Sequence, residues 1–151
     1  MPSEDPYRPF RPRAARWVST AVAVLVVVVI LGLAVLVPSY ATVTVAWLDR
    51  AGLALLAAGG AWFLLRHAGV RADPSPEGLT VRNLVTTRTV TWPEVVSVRF
   101  GHGHPWVQLD LADGETLAVM GIQRSDGAFA VAEARRLATL VARHSQTPRD
   151  D

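Results

Sequence analysis

Arg82, Arg88 and Arg99 are the side chains in this sequence best suited to hold an anion. A guanidinium is planar, permanently charged and pairs bidentately with phosphate. Contact with a phosphate or an anionic lipid headgroup is the chemistry these three offer. Asp73, Glu77 and Glu94 lie close in sequence and can neutralise them, in which case they are ordinary surface ion pairs. Gly101-His102-Gly103-His104 sets two imidazoles at i and i+2. The chain has no cysteine and offers no clear third ligand, so this stretch reads as a hairpin turn and no metal is assigned. Ser97, His102 and Asp110 have the residue types of a nucleophilic trio, without the Gly-x-Ser-x-Gly elbow that presents a reactive serine. They read instead as polar residues on the solvent face of a sheet. No catalytic residue and no cofactor is assigned, and the chain reads as a non-enzyme.

The elements that must position these arginines are short strands. Leu79 to Asn83, Thr87 to Trp92, Val95 to Phe100, Trp106 to Leu111 and Glu115 to Met120 alternate apolar and polar residues, the period of a half-buried sheet. The third of these sets Val96, Val98 and Phe100 on one face. A further strand fits around Val70 to Asp73. Asp113-Gly114 is a hairpin signal, and Pro93 breaks the ladder between two strands. Trp92 packs inward with Val90, whereas Trp106 falls opposite Val107 and Leu109 and is a candidate partner surface. A C-terminal helix follows, capped by Ser125 or Asp126. Its apolar stripe is Ala130, Ala134, Leu137 and Val141, widened by Val131 and Ala138.

What precedes this domain is of another kind. No charge occurs from Trp17 to Leu48, and Val18 to Val37 is a twenty-residue apolar run. At about 1.5 Å per residue that run spans a bilayer core of about 30 Å. Inside lipid, backbone satisfaction imposes helix despite the many valines. Trp17 and Tyr40 sit at its ends, where amphipathic rings prefer the interface. Ala51 to Leu65 is a second, shorter run that can lengthen backward toward Thr42. Ala57 to Ala61, with Gly59 and Gly60, forms a small-residue surface that Gly32 of the first helix can face. The expected arrangement is two transmembrane helices, about 17–38 and 48–66, joined by a turn around Pro38 to Arg50. Four arginines precede the first helix, and Arg66, His67 and Arg71 follow the second. The positive-inside rule then puts both termini in the cytoplasm of a multi-pass plasma-membrane protein. The rival reading is a signal peptide cleaved near Ser39-Tyr40-Ala41, which leaves the second run unexplained.

Charge excludes one class of partner. All fifteen basic residues are arginines, yet the stretch from Arg66 to Asp151 has ten arginines against ten acidic residues. No basic stripe marks a nucleic-acid binder.

The runs Glu77-Gly78-Leu79-Thr80-Val81-Arg82-Asn83, Arg88 to Phe100, Pro105 to Gly114, and Ala118-Val119-Met120-Gly121-Ile122-Gln123-Arg124 together resemble the bacterial PH domain of the actinobacterial low-molecular-weight protein antigen 6 type. The likeness covers about residues 17 to 143. It implies two membrane helices ahead of a PH-like domain, and no particular ligand.

The fold class expected is α+β: a two-helix transmembrane hairpin followed by a small, partly open PH-like barrel with a C-terminal capping helix. The bounds are a tail at 1–16, the hairpin at 17–66, the PH-like domain at 69–144 and a polar tail at 145–151. Beyond the bilayer itself, the partners expected are a protein, a second copy of the chain or anionic lipid. A non-enzymatic interaction module at the cytoplasmic face is the leading function. The alternatives are a structural subunit assembled through the hairpin and a secreted β-domain.

Overall fold

The computed structural model describes residues 5–36, 43–101 and 103–145. The chain divides into two compact units. One is Ala15–Ala68, and the other combines Met1–Ala14 with Gly69–Asp151.

The first unit is built on two helices, α1 (Arg13–Leu36) and α2 (Val43–Ala68). By length and composition both can cross a membrane, over Arg16–Val35 and Trp47–Ala68. Leu25, Val28, Leu31 and Val35 of α1 are exposed, as are Leu55, Leu56 and Phe63 of α2. Water is a poor solvent for such surfaces. Both helices begin earlier than expected. The segment from Val43 to Arg50, read as turn, is the first two turns of α2. Trp17 is 81% exposed, and Tyr40 lies outside the described residues. Of the three glycines read as a packing surface, only Gly60 meets the other helix, its Cβ direction ending 4.0 Å from Val26 Cγ1. A Cβ on Gly32 or Gly59 would meet open space.

Among the described residues, the second unit holds six strands in two antiparallel sheets. β1 (Arg71–Pro74), β2 (Gly78–Arg82) and β3 (Thr87–Thr91) form one sheet. β4 (Val95–Arg99), β5 (Trp106–Leu111) and β6 (Thr116–Gln123) form the other. Alternation drives both, since Leu79, Val81, Val90, Val107, Leu109 and Val119 are all buried between them. Asn83 ties the sheets together. Its amide nitrogen donates to the Ala118 carbonyl at 2.7 Å, and its amide oxygen accepts from Met120 N–H at 3.2 Å. The β5–β6 turn closes where Gly114 N–H donates to the Leu111 carbonyl at 2.9 Å, with Gly114 at φ 85°. A register shift between Val95 and Ser97 separates Val96 from the face of Val98 and Phe100. Val95 is buried and Val96 is 67% exposed, contrary to the simple alternation.

Trp92–Glu94 forms a 3-10 turn between the sheets, with Trp92 buried and its indole N–H donating to the Ser75 carbonyl at 2.9 Å. The last helix, α3 (Ala128–Ser145), buries Ala130, Ala134, Leu137, Leu140 and Val141. Val131 and Ala138 do not join this stripe and stay exposed. Asp126 does not cap α3 either. Its two carboxylate oxygens accept from the Arg13 and Ala14 amides at 2.9 Å each, at the start of α1.

The segment before α1, read from sequence as part of a tail, packs with this second unit. Phe10 is fully buried in its core and bridges Ala72 of β1 through two backbone hydrogen bonds of 2.8 and 3.0 Å. Gly121 of β6 makes room for it: a Cβ there would lie 2.9 Å from both Phe10 O and Ala72 N.

Candidate interaction surface

The strand register decides what the three nominated arginines can do. Directly opposed residues on neighbouring strands share a face. Arg88 opposes Val81, whereas Arg82 opposes Arg71 and Thr87. Arg82 and Arg88 therefore point to opposite faces of their sheet. Arg99 stands on the other sheet, opposite Gln108. The structure does not bring the three together.

Two of them already hold carboxylates. Arg88 binds Glu115 through one terminal nitrogen and Asp113 at 3.0 Å through the other. The Glu115 hydrogen bond, followed by Asp113, raises the Arg88 pKa. Arg99 binds Asp110 at 2.5 Å, and Ser97 Oγ donates to the same carboxylate at 2.6 Å. The Ser97 bond, then Arg99, holds the Asp110 carboxyl below its usual range. Ser97 is thus a donor to a salt-bridged carboxylate and not a nucleophile facing a base, and His102 lies outside the described residues. The neutralising acids are mostly not those nearest in sequence. Glu94 instead accepts from Thr91 N–H and Thr91 Oγ, both at 2.6 Å, which lowers its pKa. Arg71, read as a membrane-interface residue, lies on β1 with its Nε 2.7 Å from Asp73. Arg66 and His67 fill the last turn of α2.

A cluster that the sequence reading did not single out joins the N-terminal segment to α3. Glu133, 4% exposed, accepts from Arg8 and from Arg136, each at 2.8 Å. Arg136 also donates to the Pro6 and Arg8 carbonyls at 2.9 and 3.0 Å, and its guanidinium carbon sits 3.7 Å from the Phe10 ring centroid. Tyr7 Oη is 2.9 Å from His144 Nε2, and His144 stacks on Trp92 at 5.2 Å. The signal for this was present: Tyr7 and Phe10 are aromatic residues in a stretch otherwise made of arginine, proline and acid. A groove of about 250 Å³ between Asp5, Pro6, Arg8, Arg136, Thr139 and Arg143 flanks the cluster. Its arginines Arg8 and Arg136 are already engaged by Glu133. Among the described residues, no group of three His, Cys, Asp or Glu side chains can hold a metal ion.

The second unit thus sets two three-stranded antiparallel sheets beside a C-terminal helix. Residues 68–139 match the family described as "Bacterial PH domain". PH domains are generally non-catalytic interaction modules. Proteins described as uncharacterised from Mycobacterium tuberculosis (strain ATCC 25618 / H37Rv) and Mycobacterium bovis (strain ATCC BAA-935 / AF2122/97) are each 41% identical over 92 residues, 61% of this chain. The alignment spans 58% of the length of each of those relatives. No solved structure matches the chain at a significant level.

Proposed function

We propose that this chain is a non-enzymatic PH-like interaction module anchored by a two-helix transmembrane hairpin, with both termini in the cytoplasm. The supporting observation is that residues on either side of the two apolar helices belong to one compact unit. A folded unit lies on one side of a bilayer, so an even number of crossings must separate its two parts. The arginines flanking both helices favour the cytoplasmic side. Cleavage near Ala41 would strip Tyr7, Arg8 and Phe10 from the domain, which argues against the secreted reading. The likeness to the low-molecular-weight protein antigen 6 type rests on the sequence runs given above and agrees with this arrangement.

A protein partner is favoured over anionic lipid, because Arg88 and Arg99 already carry carboxylates. Anchoring raises the local concentration of the domain toward anything else in that membrane. Reporter fusions after Asp151 test the topology. Activity of a cytoplasm-active reporter alone, in the membrane fraction and with the N-terminal segment retained by mass, is expected. Activity of a periplasm-active reporter alone would overturn the hairpin.

A further inference from the structure

Among the described residues β4 pairs with β5 alone, so one row of its backbone amides and carbonyls has no strand partner. Such an edge is a template for an added strand. Between β4 and α3 runs a groove of about 270 Å³, lined by Val98, Phe100, Val131, Ala134, Arg135 and Ala138. Apart from Arg135, its walls are apolar. Val131 is 40% exposed there, the position that the helical stripe would have buried.

Arg135 is the charged residue among those that line this groove. Arg135 has no ion-pair partner among the described residues, and Arg124 lies 5.8 Å from the Phe100 ring with its guanidinium donating only to the Gly101 carbonyl. The acids two positions away from these arginines are engaged elsewhere, Asp126 by the Arg13 and Ala14 amides and Glu133 by Arg8 and Arg136. An unpaired strand edge, an apolar slot and two arginines without carboxylates define the chemistry of a partner.

We propose that the β4–α3 groove docks an extended peptide segment of a protein partner. The segment adds as a strand to β4, seats a small or β-branched side chain between Val98 and Val131, and directs acidic residues toward Arg135 and Arg124. This rests on the reading of the chain as an interaction module and names the class of partner.

Panning a phage-displayed library of random octapeptides on the full chain in detergent micelles tests it. Enriched sequences are expected to combine acidic with β-branched residues and to lack proline at their centre. A synthetic peptide of the enriched sequence should shift the backbone amides of residues 96–100 in NMR spectra. Val131→Glu should weaken it about tenfold or more, as loss of a buried anchor does. Arg135→Glu should turn the preference toward a lysine-substituted copy of the same peptide. Both substitutions fall on the exposed side of α3, and unchanged thermal melting verifies that the variants are folded. The proposal is overturned by enrichment no greater than on the Val131→Glu chain, by binding that leaves the β4 amides unmoved, or by binding indifferent to Arg135→Glu. It is also overturned if phosphatidylglycerol nanodiscs without peptide produce the same shifts, which would assign the face to lipid. Panning uses purified chain, so its result and that of the topology reporters fail independently.

Discussion

Replacing Phe10 by alanine should destabilise a domain that begins, by sequence number, almost sixty positions later. The ring is fully buried. Emptying such a site costs about 3–5 kcal/mol through lost transfer energy and the cavity left behind. Arg136 also loses the ring beneath its guanidinium, worth about 1 kcal/mol for a partly desolvated cation. The two backbone bonds between Phe10 and Ala72 do not depend on the side chain and can persist. A loss of about 4–6 kcal/mol is a large share of the 5–15 kcal/mol typical of a whole domain. At roughly 4–8 °C per kcal/mol for a domain of this size, the melting midpoint should fall by roughly 16–48 °C. Hydrogen exchange of peptides covering residues 69–83, on the full chain in micelles, reads the effect at β1 and β2 directly. Phe10→Leu keeps most of the volume and should lose less than half as much. A midpoint drop below about 5 °C for Phe10→Ala, with exchange of β1 unchanged, would refute the docking of the N-terminal segment; ordinary surface changes stay within about 0.5 kcal/mol.

The remaining expectations bear on the same unit. Gly121→Ala places a Cβ 2.9 Å from the Phe10 carbonyl and the Ala72 amide nitrogen, both backbone. It should cost about 1–3 kcal/mol as overpacking does and expose Arg8 and Arg11 to trypsin; resistance equal to the parent chain would contradict the close approach. The carboxyls of Asp110, Asp113 and Glu94 all titrate below their usual values, held first by Ser97, by the Glu115 amide and by Thr91 respectively. A lowered folded pKa stabilises above the unfolded value and is lost as pH falls through the folded one. The melting midpoint should therefore hold from neutral pH to about 5 and decline below about 4, with Asp110→Asn flattening the decline. A midpoint that rises on acidification would contradict these assignments.

Period alone located most of the elements. Leu79, Val81, Val107 and Leu109 declare their strands because alternation needs only nearest neighbours, and the uncharged stretch from Trp17 to Leu48 declares a helix long enough for a bilayer. Val96 shows where this stops: a one-residue irregularity between Val95 and Ser97 changes its face, and no local pattern marks it. Charge pairing was less legible still. Arg88 lies six positions from Glu94 but bonds Asp113 and Glu115, because the fold, not the spacing, brings those acids to it. Asp126 looked like the cap of its own helix and serves the first amides of α1 instead. The sequence by itself determined two apolar helices and a strand-rich domain with one closing helix, since each follows from composition and period within a short window. Only the tertiary structure decided that residues 5–14 belong to that domain, that Glu133 is buried between two arginines, and that the β4 edge opens beside a groove. Each of these depends on contacts between segments far apart in the chain, and no local period encodes them.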